Sequence, residues 1–145
     1  FVVPSFINRI LDIKRKGLRY GEIETGDITI IRDFIDVRDV VRAYYLLLLK
    51  GNAGEVYNIC SGKGISLKEI IDIIAEQMGI EVMSRINMDL VRPRDNRIIV
   101  GSAFKIESEL GWHPEIDIRE TIRDMIQYQE NCQQEEETIH GENRH

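Results

Sequence analysis

The sequence predicts an α/β fold, on three observations. Apolar residues recur at helical spacing in several segments, short β-rich runs lie between them, and Gly or Pro punctuates the junctions. The 145 residues suit one domain or part of a larger one. With 43% apolar and 30% charged residues, a buried core is expected and wholesale disorder is not. The net charge of −6 argues against a nucleic-acid or membrane-surface binder, either of which needs a basic face. The longest apolar run, Ala43 to Leu49, is too short to span a bilayer, and no basic-then-apolar leader opens the chain. Cys60 and Cys132 lack metal-ligand spacing, so free thiols in a reducing cytoplasm are expected.

The chain opens without Met on apolar Phe1-Val2-Val3-Pro4. A domain rarely starts on an exposed hydrophobic run, so an upstream portion is expected. The first helix is predicted from Pro4 or Ser5 to Lys16. Phe6, Ile7, Ile10, Leu11 and Ile13 form its stripe, the cations Lys14 to Lys16 suit its C-terminal end, and Gly17 ends it. Tyr20 to Ile31 reads as small strands and a hairpin. Asp36 is the expected N-cap of a second helix, Val37 to Lys50, with Val40, Val41, Tyr44, Leu47 and Leu48 on one face and Arg38, Asp39 and Arg42 on the other. Glu55 to Cys60 reads as a buried strand.

Ser66-Leu67-Lys68-Glu69 is a capping box for a third helix, Leu67 to Met78, burying Ile70, Ile71, Ile74 and Met78. A strand (Ile80 to Ile86), a polar Pro-containing loop (Met88 to Arg97), a short strand (Ile98 to Val100) and a short helix (Ser102 to Leu110) follow. Trp112-His113-Pro114 breaks the chain before a last helix, Ile118 to Tyr128. Trp112 and Phe104 read as packing residues. The division expected is an ordered region, 1–132, and a disordered acidic tail, 133–145, which carries four Glu against one Arg.

Several chemistries are missing. Ser61-Gly62-Lys63-Gly64 is the nearest approach to a dinucleotide fingerprint, but Leu67 stands where its third glycine would. Gly64 follows the lysine where a phosphate-binding loop needs Ser or Thr, and no Tyr is followed four residues later by Lys. His113 is isolated, so no metal site is expected. The chemistry that is present lies in arginines. Arg92-Pro93-Arg94-Asp95 puts two guanidiniums in a stiffened loop, where each can fork onto a phosphate or carboxylate, and Asp95 can accept from sugar hydroxyls. Residue type and spacing leave a solvated charge cluster as the alternative. Arg32-Asp33-Phe34 leaves a short strand, where Arg32 either faces a ligand or makes a structural salt bridge, and Asp33 holds backbone or Arg38.

Arg32 to Tyr44 (RDFIDVRDVVRAY), then Gly54 to Gly62 (GEVYNICSG), with Phe1 to Phe6, Arg92-Pro93, Leu110-Gly111-Trp112-x-Pro114 and Thr121-Ile122-x-Asp124-Met125 in order, resemble the C-terminal half of extended short-chain dehydrogenases/reductases. These are the NAD-dependent epimerase/dehydratase proteins that modify nucleotide sugars. The resemblance covers roughly residues 1 to 130. It implies the substrate-binding C-terminal part of such a protein with Rossmann-sheet edge elements, the N-terminal Rossmann half being absent. The Asp-Val-Arg-Asp helix leading to Arg-Ala-Tyr is most similar to reductases of GDP-4-keto-6-deoxy-mannose. GDP-mannose 4,6-dehydratases and nucleotide-sugar epimerases rank below, beside a stand-alone, non-catalytic sugar-nucleotide-binding module.

The resemblance further implies that Arg32 contacts the nucleotide, Arg92 grips the diphosphate, Asp95 binds a nucleotide hydroxyl and Val2 lines the pocket. It places NAD(P), the catalytic Tyr and its Lys in the upstream half of the full-length parent, so no catalytic or cofactor-binding residue and no tight NAD(P) binding is expected here. Gly101-Ser102-Ala103 departs from the family's Gly-Asp and leaves the following helix without an obvious cap. The partner expected is a GDP-sugar, with no nucleic acid or membrane. Apolar faces of the Val37–Lys50 helix and the Glu55–Ile59 segment, left without the missing half, would favour a homodimer or swapped assembly.

Overall fold

The computed structural model describes residues 1–91 and 95–142, with 133–142 described as helical backbone. It divides into two compact units. One holds residues 1–26, 70–91 and the chain from 119 onward; the other holds 27–69 and 92–118.

The first unit is built on α1 (Val2–Arg15), whose stripe of Val3, Phe6, Ile7, Ile10, Leu11 and Ile13 is buried as its spacing requires. Pro4 falls within its first turn, where a missing N–H costs no helical bond. Strand β1 (Tyr20–Thr25) pairs in parallel with β4 (Glu81–Ile86), Tyr20 opposite Glu81 and Thr25 opposite Ile86. A parallel pair needs a long crossover, which residues 27–69 and α3 (Leu67–Met78) provide. At Gly21 the Ile13 side chain lies only 2.5 Å from where a Cβ would stand, so glycine lets helix and strand close. Buried Ile70, Ile71, Ile73, Ile74 and Met78 of α3 and buried Ile122 and Ile126 complete this core.

Helix α5 (Ile118–Glu142) corrects the expected end at Tyr128. Its backbone stays helical through most of the span read as a disordered tail, and residues 143–145 lie outside the described residues. Gln and Glu are good helix formers, and neither Gly nor Pro interrupts the chain before Gly141.

The second unit is a three-stranded sheet of order β3-β2-β5, with β2 (Ile31–Asp33) antiparallel to β3 (Gly64–Ser66) and parallel to β5 (Ile98–Ile99). The expected hairpin within Tyr20 to Ile31 is therefore replaced, since β1 and β2 take different partners. The capping box forms as read: Ser66 N–H donates to Glu69 at 2.9 Å and Glu69 N–H to the Ser66 hydroxyl at 3.1 Å.

Helix α2 (Val37–Lys50) has the expected Asp36 N-cap, which accepts from Arg38 N–H at 2.8 Å. Only part of the expected apolar face is covered: Ala43 is buried and Leu46 and Leu47 pack against the core. Asp39 is 1% exposed, while Val37, Val41, Tyr44, Tyr45, Leu48 and Leu49 are 59–83% exposed. The unit's small core is Ala43, Cys60, Ala103, Ile106 of α4 (Phe104–Leu110) and Trp112.

Two readings fail here. Glu55–Cys60 forms no strand, and Val56 is 79% exposed. This segment meets α4 through side chains instead: Tyr57 donates to Glu109 at 2.7 Å, and Lys105 reaches Glu55 at 2.6 Å while lying 4.6 Å over the Tyr57 ring. Phe104 is exposed rather than packed, whereas Trp112 is 1% exposed and donates from Nε1 to the Asp39 carbonyl. Ala103 at the N-cap of α4 makes no side-chain cap bond; the Ser102 hydroxyl accepts from Phe104 N–H at 3.4 Å.

Candidate functional site

Strand β2 carries the residues of interest because its short ladder fixes neighbouring side chains on opposite faces. Arg32 gives three of the five donors of a guanidinium to the chain around it. Its NH1 donates to the carbonyls of Ile31 and Asn96, each at 2.8 Å, and its NH2 donates to Asp95 at 2.5 Å. The ladder continues beside it, with Ile31 N–H donating to the Arg97 carbonyl at 2.8 Å. Arg32 and Asp95 are both less than one-third exposed, a setting in which charge-assisted bonds exceed those of a solvated pair.

Asp33, on the other face, gathers backbone. Its carboxylate accepts from Ser61 N–H at 2.8 Å, Gly62 N–H at 3.0 Å, Gly101 N–H at 3.1 Å and the Ser61 hydroxyl at 2.5 Å. Of the two roles read for it, holding backbone is the one realised; Arg38 goes to Asp36 instead. Glycine at 101 is required, because a Cβ there would lie 2.6 Å from the Cys60 sulfur.

A second carboxylate does similar work on α2. Asp39 accepts from Arg42 at 2.6 Å and from the N–H groups of Glu115 and Ile116 at 3.1 and 3.0 Å. Burial pushes its carboxyl up, but the Arg42 guanidinium and the two N–H donors outweigh burial and hold it below the usual carboxylate range.

A cleft of about 320 Å³ opens in the same unit, lined by Phe34, Ser61, Lys63, Ile65, Glu69 and the 114–118 segment. Burial and the charge of Asp33 push the Cys60 thiol above its ordinary value, which disfavours the reactive thiolate. Among the described residues, no group of three or more His, Cys, Asp or Glu could hold a metal ion. No helix among them is long and apolar enough to cross a membrane. The turn Ser61-Gly62-Lys63-Gly64 leads into β3, and its Ser61 and Gly62 N–H groups are taken by Asp33. A pyrophosphate cradle needs such groups free at a helix N-terminus.

Of the four residues singled out by sequence, the structure brings Arg32 and Asp95 into contact. Val2 is 36% exposed in the first turn of α1, in the first unit. Arg92 lies outside the described residues. Sequence reasoning read Asp33 as holding backbone without naming residues 61, 62 and 101 as its partners, and missed the inward turn of Asp39. The signal for the first was the run of small residues at both sites, Cys60-Ser61-Gly62 and Gly101-Ser102-Ala103.

A family model described as GDP-mannose 4,6 dehydratase matches residues 1–125. The GDP-6-deoxy-D-mannose reductase of Pseudomonas aeruginosa is 36% identical over 136 residues, 94% of this chain and 44% of that protein. The UDP-glucose 4-epimerase of Corynebacterium glutamicum is 32% identical over 130 residues, 85% of this chain and 38% of that protein. Among solved structures, RMD from Pseudomonas aeruginosa complexed with NADPH superposes with a TM-score of 0.78 at 35% identity, covering 88% of this chain and 41% of that one. The Thermotoga maritima UDP-glucose 4-epimerase with UDP-glucose gives 0.76 at 29% identity, covering 91% and 40%. The chain thus spans less than half the length of these relatives.

Proposed function

We propose, because the chain belongs to the GDP-mannose 4,6-dehydratase family of nucleotide-sugar reductases, epimerases and dehydratases, that it is the C-terminal, nucleotide-sugar-binding portion of an NAD(P)-dependent reductase acting on GDP-4-keto-6-deoxy-mannose. The observation that carries this reading is the Arg32–Asp95 contact at the β2–β5 edge. It joins two residues, 63 apart in sequence, that the resemblance separately assigns to nucleotide binding. The name of the reductase relative supports GDP as the nucleotide. The name of the matching family model keeps 4,6-dehydration of GDP-mannose as the second reading.

In this reading Arg92 grips the diphosphate, Asp95 accepts from a nucleotide hydroxyl, Arg32 contributes charge beside them and Val2 lines the pocket. A nicotinamide cofactor supplies hydride to the keto carbon in the parent reaction. The Gly-flanked turn Ser61–Gly64 offers that cofactor no cradle, since Ser61 and Gly62 give their N–H groups to Asp33. What this chain supplies is therefore binding and orientation of the nucleotide. The free thiols Cys60 and Cys132 suit the reducing cytoplasm where such a protein would work.

Calorimetric titration of the purified chain with GDP-mannose, UDP-glucose and NADPH tests the reading. GDP-mannose is expected to bind more tightly than UDP-glucose, and NADPH to give no micromolar binding. Arg92→Ala removes a forked, charge-assisted partner worth about 2–5 kcal/mol, a loss of roughly thirtyfold to several thousandfold for the GDP-sugar. Arg92→Lys is expected to recover only part, because an ammonium lacks the fork. An unchanged GDP-mannose affinity in Arg92→Ala would leave Arg92 a solvated charge, and micromolar NADPH binding would overturn the division of labour.

A further inference from the structure

We infer that Asp33 is a positioning residue for nucleotide binding, acting through Arg32 and Asp95; this rests on the nucleotide-binding role proposed for that pair. Neighbours on a strand point to opposite faces, yet Arg32 and Asp33 hold the two ends of one segment. Arg32 binds the Asp95 carboxylate at 2.5 Å and the Asn96 carbonyl at 2.8 Å. Asp33 accepts from Gly101 N–H at 3.1 Å.

The ladder between those ends is short. Strand β5 pairs only Ile98 and Ile99 with β2, and Ile31 N–H adds one bond to the Arg97 carbonyl. Ile98, Ile99 and Val100 are 64%, 48% and 41% exposed, so burial does little to fix them. Beyond Gly101 the chain enters the core at buried Ala103 and Ile106. Gly101 is thus the junction between an exposed strand and a buried helix, and Asp33 joins that junction to β2.

The carboxylate has no oxygen to spare for a ligand. Oδ1 accepts from the Ser61 N–H and hydroxyl, and Oδ2 from the Gly62 and Gly101 N–H groups. A bare carboxylate beside a diphosphate would also repel it. Asp33 therefore serves the site from behind. It keeps β2 and β5 in register, so that Arg32 and Asp95 meet at the same place each time.

Two readouts on the whole chain test this: NMR of the guanidinium N–H groups of Arg32, and calorimetric titration with GDP-mannose. In the parent chain the Arg32 signals should be resolved and slow to exchange. Asp33→Ala strands three N–H groups; it should abolish those signals and weaken GDP-mannose by about tenfold or more. Asp33→Asn should restore most of both, because its one oxygen can still accept from Gly62 and Gly101 while its amide donates to the Ser61 hydroxyl. Gly101→Ala leaves Asp33 intact but sets a Cβ 2.6 Å from the Cys60 sulfur. It should give the same two losses, and it decides the matter if Asp33→Ala does not fold. All measurements are made below the thermal midpoint of the least stable variant. A folded Asp33→Ala or Gly101→Ala with unchanged Arg32 signals would overturn the proposal. So would an Asp33→Asn no better than Asp33→Ala, or released Arg32 signals with undiminished GDP-mannose affinity. A parent chain that binds no GDP-mannose would instead overturn the nucleotide reading, since the Arg32 signals are scored without ligand and decide the positioning by themselves.

Discussion

Helices α1 and α2 are each 14 residues long and each carries one apolar stripe, yet they use it in opposite ways. In the first unit α1 turns Phe6, Ile7, Ile10 and Leu11 inward, where α3 and α5 supply Ile70, Ile74 and Ile122. In the second unit α2 turns Asp36, Asp39 and Ala43 inward, with Leu46 and Leu47 partly buried, and leaves Val37, Val41, Tyr44, Tyr45, Leu48 and Leu49 in water. Amphipathic spacing states that a helix has two faces. It does not state which one its own unit will bury. On α2 that choice falls to specific bonds, since its buried carboxylate accepts from two loop N–H groups.

The largest expected effect comes from swapping the same kind of truncation between the two helices. Ile10→Ala, at a fully buried position, should cost about 2–5 kcal/mol in urea unfolding. Leu48→Ala on α2 should change the same measurement by no more than about 0.5 kcal/mol in the monomer. Equal losses would mean that the strip on α2 is already covered within one chain.

Next in size is Asp39→Ala, which strands two N–H donors and the Arg42 guanidinium and should cost about 3 kcal/mol. Its acid dependence sharpens the point. The carboxyl is held below its ordinary value, because Arg42 and the two N–H donors outweigh burial. Its contribution is therefore fully present above the unfolded value of about 3.9 and is lost as pH falls through the lower folded value. Thermal midpoints of the parent chain should drop on that acid limb, and Asp39→Asn should flatten it. An unaltered limb would show that other carboxylates govern acid unfolding.

The smallest effect expected is that of Ser66→Ala. It removes a capping bond pair at the start of α3 and should cost about 1 kcal/mol. Amide exchange near Leu67 to Glu69 is the readout, and unchanged protection would mean the sheet alone holds this helix start.

Much of this architecture was legible from the chain. The stripe of α1, the Asp36 cap and the Ser66–Glu69 box depend on residues within one or two turns of each other, and local rules suffice for them. The α/β class and the likeness to nucleotide-sugar enzymes rested on motifs in order, and both stand. Strand partners were not legible. The pairing of β1 with β4 depends on segments separated by an intervening unit. Glu55–Cys60 carries a strand-like composition, but a strand also needs a ladder partner, which it lacks among the described residues. Within the candidate site, Arg32 and Asp95 were each visible by type. Their contact was not, because register places them together across 63 positions. The inward turn of Asp39 was hidden for the same reason, since its partners are backbone groups 76 and 77 residues away.

The parallel pairing of β1 with β4 has a consequence for the order of events during synthesis. Within this stretch residues 1–26 are made before the partners that finish their core, residues 70–91 and Ile122 and Ile126 of α5. At the usual pace of translation, the stripe of α1 waits on the order of ten seconds before its last partners leave the ribosome. During that interval Phe6, Ile7 and Ile10 are as sticky as any unfolded segment. Contacts of such long sequence separation also slow the closing step itself. Among the helices of this stretch, α1 thus waits longest for the residues that bury its stripe.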